Sequence, residues 1–308
     1  MDPIPDEDRM ASDEAENQAA ACGFTRNIML TIAYDGTNYS GWQIQPRVTT
    51  VQECVERAVE KLTGVRSAVL CAGRTDAGVH AVGQVASFRT SSQIPANQIR
   101  RGLQSFLPVD IVIVKAEDVS MKFHATFSAV RKIYRYMLFD GTVCPPFVRR
   151  YVNCIRNELD VPAMQQSLIH LLGTHDFRCF ETRYPNKATS IRTIERAEIR
   201  RLSAWTPWQS GHEWHSDDSH ISQMRSGDSK CCPFVMFEVQ ADGFLYNMVR
   251  AIVGTLIRIG VGQRPPDDMQ RVIESMDRKQ AGMTSLAQGL CLTEVFYPPE
   301  LLRPDDAD

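Results

Sequence analysis

The chain has 308 residues, of which 43% are hydrophobic and 23% charged, and this composition is typical of a soluble globular protein of about two domains. Its apolar runs are far shorter than the ~18 residues of a membrane-spanning helix, so we expect no membrane partner. The formal net charge of −3 hides an uneven distribution, because residues 25–299 carry 32 basic and 26 acidic side chains. A basic body permits a polyanionic partner but does not require one.

Both ends of the chain are acidic. Residues 1–24 hold seven acidic side chains and one basic side chain without periodicity, which predicts a disordered acidic leader, and residues 300–308 form an acidic tail. The leader lacks the apolar core of a signal peptide, and Met10 is an alternative to Met1 as the start. The nine cysteines are scattered without a CxxC motif, as is typical of a protein in a reducing cytoplasm.

In chain order, residues 25–145 give the β-α-β-β-α-β pattern of a ferredoxin-like half. Alternating apolar residues predict the strands, and a capping box from Thr50 to Glu53 opens the first helix. The first predicted strand starts at Arg26, and the others cover 69–72, 84–88, 110–114 and 129–139. The second helix starts at Pro95.

Residues 146–299 repeat this order more loosely after a junction at Pro145-Pro146, without residue-level identity between the halves. The predicted helices cover 160–172, 244–260 and 266–277, and the strands lie near 189–202, 233–240 and 290–297. Between two of these strands, residues 203–232 read as a long insertion. Its His212, His215, His220, Cys231 and Cys232 make a zinc site conceivable, but their spacing matches no standard zinc motif, and a plain loop is the alternative.

The loop at 73–78 is the most informative stretch for chemistry. Its glycines allow a sharp turn, and between them Arg74 and Asp76 bring a carboxylate beside a guanidinium. Such a neighbour would keep the acid ionised and orient it. The alternative is an ordinary turn, in which Asp and Gly are common.

Three further patterns leave alternatives open. Arg250 belongs to a polar stripe on a helix that is apolar on most sides, so it is expected to meet a carboxylate unless that face is solvated. Tyr134 and Tyr136 share one face of a strand, which fits core packing or an aromatic platform for a base. The basic pairs are candidate phosphate contacts or simply solvated surface, and they lie at 131–132, 149–150 and 200–201.

The chain resembles the TruA family of tRNA pseudouridine synthases over residues 27–297. The longest shared motif is Gly-Arg-Thr-Asp-Ala-Gly-Val-His at 73–80. The other shared motifs follow in the family's order at 35–36, 39–43, 51–52, 107–111, 123–125, 127–129, 134–136, 173–177, 244–250 and 252–254. The chain departs from the family in Gln104-Ser105, where an Asn usually precedes the Leu-Pro, in the insertion at 203–232 and in the acidic leader.

This resemblance implies an α+β fold in which two ferredoxin-like halves form one continuous, mostly antiparallel sheet with helices on one face. It implies an isomerase that converts uridine to pseudouridine in the anticodon arm of tRNA, usually at positions 38–40, without a metal or other cofactor. It also implies a homodimer.

The resemblance also assigns roles to single residues. Asp76 takes the position of the catalytic aspartate, Arg74 that of an active-site arginine, and Arg250 that of the arginine that pairs with the carboxylate. Tyr134 matches the tyrosine that stacks near the target base or acts as a base, and Leu245 matches an apolar residue of the uracil pocket.

The chemistry fits these residue types independently. The reaction breaks the C1′–N1 bond and joins C1′ to C5, so a carboxylate can attack C6 or C1′ or remove a ribose proton, and all three routes remain open. The base must leave its stack, for which an aromatic side chain is suited. The alternative class is a non-catalytic RNA-binding protein, since a ferredoxin-like sheet with aromatic residues can bind RNA without acting on it. His80 is expected to fix the loop or to contact phosphate.

Overall fold

A computed structural model describes residues 23–182, 189–205, 207 and 232–305, and it is an α+β protein. The strands of these residues are β1 (Arg26–Tyr34), β2 (Leu70–Cys71), β3 (His80–Thr90), β4 (Ile111–Val119), β5 (Arg131–Phe139), β6 (Asn153–Cys154), β7 (Gly173–Asp176), β8 (Ile191–Leu202), β9 (Phe234–Ala241) and β10 (Leu290–Phe296). The α-helices are α1 (Val51–Thr63), α2 (Ala96–Gln104), α3 (Val161–Ser167), α4 (Met248–Gly260) and α5 (Asp268–Ser275).

All the strands belong to one sheet of two similar parts. Its main order is β4-β1-β3-β10-β5-β9-β8-β7, with β2 on β3 and β6 on β5. The order β4-β1-β3-β2 in the first part recurs as β10-β5-β9-β8 in the second, and both are the fourth-first-third-second order of a β-α-β-β-α-β unit. The parts join where β10 pairs with β3 in parallel, and β5 with β6 is the other parallel pair among the described strands. The predicted sheet is confirmed.

The position of β5 in this order bears on the domain boundary. The sequence predicts the junction at Pro145-Pro146, after this strand. In the sheet, β5 is the first strand of the second set, since its neighbours are β10 and β9. We therefore propose a boundary in the connection between β4 and β5. Residues 1–22 of the predicted leader, nearly all of the insertion and the end of the tail lie outside the described residues.

Local signals explain where most helices begin and end. The Thr50 side chain accepts a hydrogen bond from the Glu53 backbone N–H at 3.4 Å, and Gly64 ends α1 in the left-handed conformation. The predicted helix at 244–260 starts only at Met248, because Asn247 has a φ of 61° that helical backbone cannot adopt. The predicted helix at 160–172 is α-helical to Ser167 and continues as one 3₁₀ turn. The short strands β6 and β7 were not predicted.

The main core lies between the sheet and the helices. One buried cluster contains apolar side chains from all five described helices and from strands of both parts, among them Leu30 of β1 and Phe237 of β9. Helices on one face of the sheet are thus confirmed, and the other face carries smaller clusters, one of them around Met29 and Phe123.

Two further features of the described residues bear on the environment of the protein. None of their helices is long and apolar enough to cross a membrane. Cys144 and Cys154 form a disulfide, which the expectation of a reducing cytoplasm did not include.

Candidate active site

The loop that carries Asp76 connects β2 to β3 and is held by the segment between β1 and α1. Trp42 donates its backbone N–H to the Thr75 carbonyl at 3.0 Å, and Val79 donates to the Asp76 carbonyl at 3.1 Å. Gly41 has a φ of 91°, and a Cβ on it would lie 2.6 Å from the Thr75 carbonyl oxygen. The motif at 35–43 is therefore explained by contact: its glycines let the two backbones meet.

Asp76 is paired with a guanidinium from the other part of the sheet. Arg250 Nη1 donates to Asp76 Oδ2 at 2.9 Å, and the two side chains are only 17% and 18% exposed. Burial raises the pKa of the Asp76 carboxyl, and the hydrogen bond and charge of Arg250 act against that rise. The site thus holds a carboxylate that is largely removed from water, still accessible at one edge, and kept ionisable by one cation.

Arg250 is itself fixed on three sides at the start of α4. Its Nη1 also donates to Asn247 Oδ1 at 2.8 Å, and its Nε donates to the Ser285 carbonyl at 2.8 Å. The segment around Ser285 lies directly on α4, because a Cβ on Gly254 would come within 1.8 Å of the Met283 carbonyl oxygen. The guanidinium is therefore preorganised and does not need to move to reach Asp76.

Tyr134 and Leu245 lie on the second part of the sheet as well. Tyr134 is buried in β5, and its ring meets Phe244 edge to face at a centroid distance of 5.0 Å. Leu245 is buried in the loop between β9 and α4. Burial, with smaller contributions from Tyr34 and Asp76, raises the pKa of the Tyr134 phenol far above its ordinary value. The phenol is therefore neutral at physiological pH.

The structure joins Asp76 to Arg250 directly and brings Tyr134 close enough for the Asp76 charge to affect its phenol. Arg74 lies on the Asp76 loop, and Leu245 is the neighbour in sequence of Phe244, whose ring meets Tyr134. The guanidinium that contacts Asp76 is that of Arg250, which answers the expectation from the helix stripe. Arg74 is half-buried, two residues before Asp76. Among the basic pairs, Lys132 donates to the Ala72 carbonyl and Arg201 forms an ion pair with Asp140, so these two are structural contacts.

A cluster next to the loop was missed by the sequence analysis except for one residue. His80 is 1% exposed, so it cannot contact phosphate, and it fixes the loop. Its Nδ1 lies 3.1 Å from the Gly36 N–H and 3.2 Å from Asp35 Oδ1, and its Nε2 lies 3.1 Å from the Arg150 carbonyl. Tyr151 donates to Asp35 Oδ2 at 2.9 Å. No signal in the sequence relates these residues, which are up to 116 positions apart.

The electrostatics of Asp35 are opposite to those of Asp76. Burial works against ionisation of Asp35, yet hydrogen bonds from His80, Thr37 and Tyr151 outweigh it and hold the pKa of this carboxyl well below its ordinary range. Asp35 is therefore ionised at physiological pH, whereas burial and Arg250 shift the pKa of Asp76 in opposite directions.

No group of three potential metal ligands occurs in the part of the chain that the structure describes. The candidate zinc residues His212, His215, His220 and Cys231 lie outside that part, and Cys232 lies at its edge.

Comparisons with known proteins agree on one family. The profile of the family described as tRNA pseudouridine synthase matches residues 30–128 and 168–298. The tRNA pseudouridine synthase A of Acetivibrio thermocellus is 41% identical over 272 residues, which are 88% of this chain and 100% of that protein. The tRNA pseudouridine synthase A 2 of Clostridium tetani is 39% identical over 274 residues, 88% of this chain and 99% of that protein.

A solved structure was also matched. The archaeal box H/ACA sRNP Nop10-Cbf5 complex aligns with 84% of this chain and 69% of that chain at 11% identity, with a TM-score of 0.27 that adds nothing to the assignment. The family profile covers both parts of the sheet and both sides of the Asp76–Arg250 pair. The chain belongs to the TruA family of tRNA pseudouridine synthases.

Proposed function

We propose that this protein converts uridine to pseudouridine in the anticodon arm of tRNA, at the positions 38–40 that are usual for the family. Asp76 is the catalytic carboxylate, Arg74 and Arg250 assist it, and no cofactor takes part. Both relatives are named as tRNA pseudouridine synthases, which supports tRNA as the substrate. The single observation that carries the proposal is the hydrogen-bonded pair of Asp76 and Arg250, assembled from two segments 174 residues apart.

The carboxylate suits the first step of the reaction. Its pKa is raised by burial, which makes it a better base and nucleophile than a solvated carboxylate, while Arg250 opposes that rise and favours the ionised form. Attack at C6 or C1′ and removal of a ribose proton all begin from this ionised form. Each route ends with the C1′–N1 bond broken, a C1′–C5 bond made, the C5 proton released and a proton gained at N1. A ribose proton removed on the way is returned before the product leaves.

The neighbours of Asp76 give a reason for the site to hold uracil. The released base has to turn before C5 faces C1′, so the pocket must retain it without clamping it. Tyr134 with Phe244, and the apolar Leu245, offer flat and apolar contacts that tolerate such a rotation. Because its phenol is neutral, Tyr134 serves as a ring contact and hydrogen-bonding group in this proposal, not as a base in the free enzyme.

The test is to map pseudouridine in total tRNA from cells that lack this protein. Loss at anticodon-arm uridines, restored by the wild-type gene but not by Asp76→Asn, is the expected result. Asp268→Asn is the matched control. Asp268 is 17% exposed, lies in α5 far along the chain from Asp76, and pairs with Arg264. We expect purified Asp76→Asn to lose at least about three orders of magnitude in tritium release from C5-labelled uridine, within the range attributed to catalytic acid–base groups.

Two outcomes would contradict the proposal. Unchanged pseudouridine in the deletion strain would remove the substrate assignment, and tRNA binding by wild-type protein without product would favour the non-catalytic RNA-binding alternative. The homodimer and the cytoplasmic location implied by the family resemblance belong to the same proposal. Sedimentation of the purified protein and imaging of a tagged chain would check them.

A further inference from the structure

The connection between β5 and β6 brings a short tip to the edge of the site. We call residues 145–151 the tip loop. Backbone hydrogen bonds from Val148 to the Pro145 carbonyl, at 3.2 Å, and from Tyr151 to the Val148 carbonyl, at 2.8 Å, fold it into consecutive turns. The disulfide from Cys144 to Cys154 closes its base. The loop therefore has a defined shape without belonging to the sheet.

The tip loop is attached to both segments that form the site. The Arg150 carbonyl lies 3.1 Å from Nε2 of His80, four residues after Asp76. Gln288 donates to the Arg149 carbonyl at 3.2 Å, three residues after Ser285, whose carbonyl holds Arg250. The loop thus bridges the two sides of the Asp76–Arg250 pair through its main chain.

Val148 packs against a small buried cluster and Tyr151 against His80, whereas other side chains of the loop are exposed. Phe147 is 90% exposed, and Arg149 and Arg150 are exposed. Some exposed arginines are neutralised by carboxylates, such as Arg57 by Glu53 at 2.6 Å. No ion pair within the described residues involves Arg149 or Arg150. The tip therefore presents an open aromatic face beside two uncompensated guanidinium groups.

This combination has a specific chemical complement. Arginines bind phosphate oxygens, and an exposed aromatic ring offers a stacking surface for an unpaired base. A single phenylalanine is too small for a protein-binding apolar patch, which typically covers several hundred Å². We propose that the tip loop is an RNA-binding element in which Phe147 stacks on an unpaired base next to the target uridine while Arg149 and Arg150 contact its phosphates. This inference rests on the proposed function, which supplies the RNA.

The test measures binding of unmodified tRNA transcript to the full-length protein by fluorescence anisotropy at several salt concentrations. Phe147→Ala is expected to weaken binding at least about fivefold without changing the salt dependence, as for loss of one stacked base. Arg149→Ala with Arg150→Ala is expected to weaken binding and to reduce the slope of log K against log salt by about 0.7–0.9 per lost phosphate contact. Phe147→Tyr keeps the ring and is expected to bind like wild type.

Controls separate this inference from effects on folding and from the proposed function. Alanine preserves the carbonyls that anchor the loop, so the melting temperature should not change. Arg57→Ala and Val109→Ala remove an exposed arginine and a 96% exposed apolar side chain elsewhere and should bind normally. Wild-type affinity for Phe147→Ala, or an unchanged salt slope for the double arginine variant, would overturn the inference even if wild-type protein makes pseudouridine. Failure of wild-type protein to make pseudouridine would contradict the proposed function, while the binding results would still decide the role of the loop.

Discussion

At the residue scale, the site depends on the balance that Arg250 imposes on Asp76. Burial alone disfavours the carboxylate, and one guanidinium at 2.9 Å acts against it. The two charges are only partly removed from water, so their pair is neither a surface salt bridge of small effect nor a fully buried one. Removing the cation should therefore change the ionisation of the acid more than the stability of the fold.

We expect Arg250→Ala to move the acidic limb of the pH profile of kcat/KM to higher pH. Arg250 lowers the pKa of Asp76, so without it the pKa rises further and less of the acid is ionised at a given pH. The shift should be about one to three units, the usual effect of losing an opposite charge at this distance. Arg250→Lys should recover part of the shift, because it restores the charge without the fork of donors.

Arg264→Ala is the control for this prediction. Arg264 donates to Asp268 at 2.7 Å, and the two side chains are as little exposed as the catalytic pair. Its loss should lower the melting temperature and leave the pH profile in place. An acidic limb that stays where it is in Arg250→Ala would show that the cation does not set the ionisation of Asp76.

The sequence singled out Asp76 as the candidate acid but did not predict its surroundings. Asp76 stood out because its loop has glycines at both ends and a cation inside. Its partner was expected as Arg74 from spacing and as Arg250 from the helix stripe and the family resemblance, and the fold shows the contact with Arg250. The cluster of Asp35, His80 and Tyr151 could not be predicted, since only the folded sheet brings its members together.

At the element scale, the Asp76 loop is positioned by backbone contact and not by side chains. Gly41 and Gly64 both adopt left-handed backbone, with φ of 91° and 76°. Only Gly41 has neighbours at the place of a Cβ, the Thr75 carbonyl oxygen at 2.6 Å and the Ala77 nitrogen at 3.1 Å, whereas nothing lies within 4 Å at Gly64. Comparing an alanine at Gly41 with an alanine at Gly64 therefore separates the cost of backbone strain from the cost of displacing the Asp76 loop.

We expect Gly41→Ala to lower kcat at least about tenfold, because the new methyl group pushes away the segment that carries Asp76, and a displacement of about 1 Å can cost a hundredfold. Gly64→Ala bears the same kind of backbone strain, of order 1–2 kcal/mol, and should lower only the melting temperature. Steady-state kinetics and thermal unfolding of both variants provide the comparison. Equal kcat values in the two variants would mean that the contact with Thr75 does not position the acid.

Periodicity predicted the elements better than their ends. The helix at 248–260 was expected from residue 244 because Phe244 and Leu245 continue its apolar pattern. The left-handed Asn247 ends that pattern, so Phe244 and Leu245 lie outside the helix, and the Phe244 ring packs against Tyr134. Asn is enriched in this conformation, but a single Asn within an apolar helical pattern does not by itself predict a break.

At the scale of the whole molecule, the two parts of the sheet share one core. The parallel contact between β3 and β10 spans only two residue pairs, at His80 and Ala81, yet the main buried cluster runs continuously beneath both parts. Neither part therefore has a core of its own that could stay folded while the other opens.

We expect the two parts to unfold as one cooperative unit. Hydrogen exchange followed by mass spectrometry should give the same highest opening free energy for peptides of β1 in the first part and β9 in the second. The edge strand β7, which is largely exposed, should open locally and serves as the internal reference. A clearly lower value for one of the two central strands would reveal an independent subdomain.

The repeated strand order has a consequence for how the chain could have changed over time. In each set one connection leads from the second strand to the third: in the first it is the loop with Asp76, between β2 and β3, and in the second it is the stretch between β8 and β9 that contains residues 203–232. If the two sets descend from a duplicated ancestor, one copy of this hairpin was held to a fixed length by its chemistry. The other copy, with no residue in the Asp76–Arg250 pair, was released from that constraint and could accept a long run of additional positions.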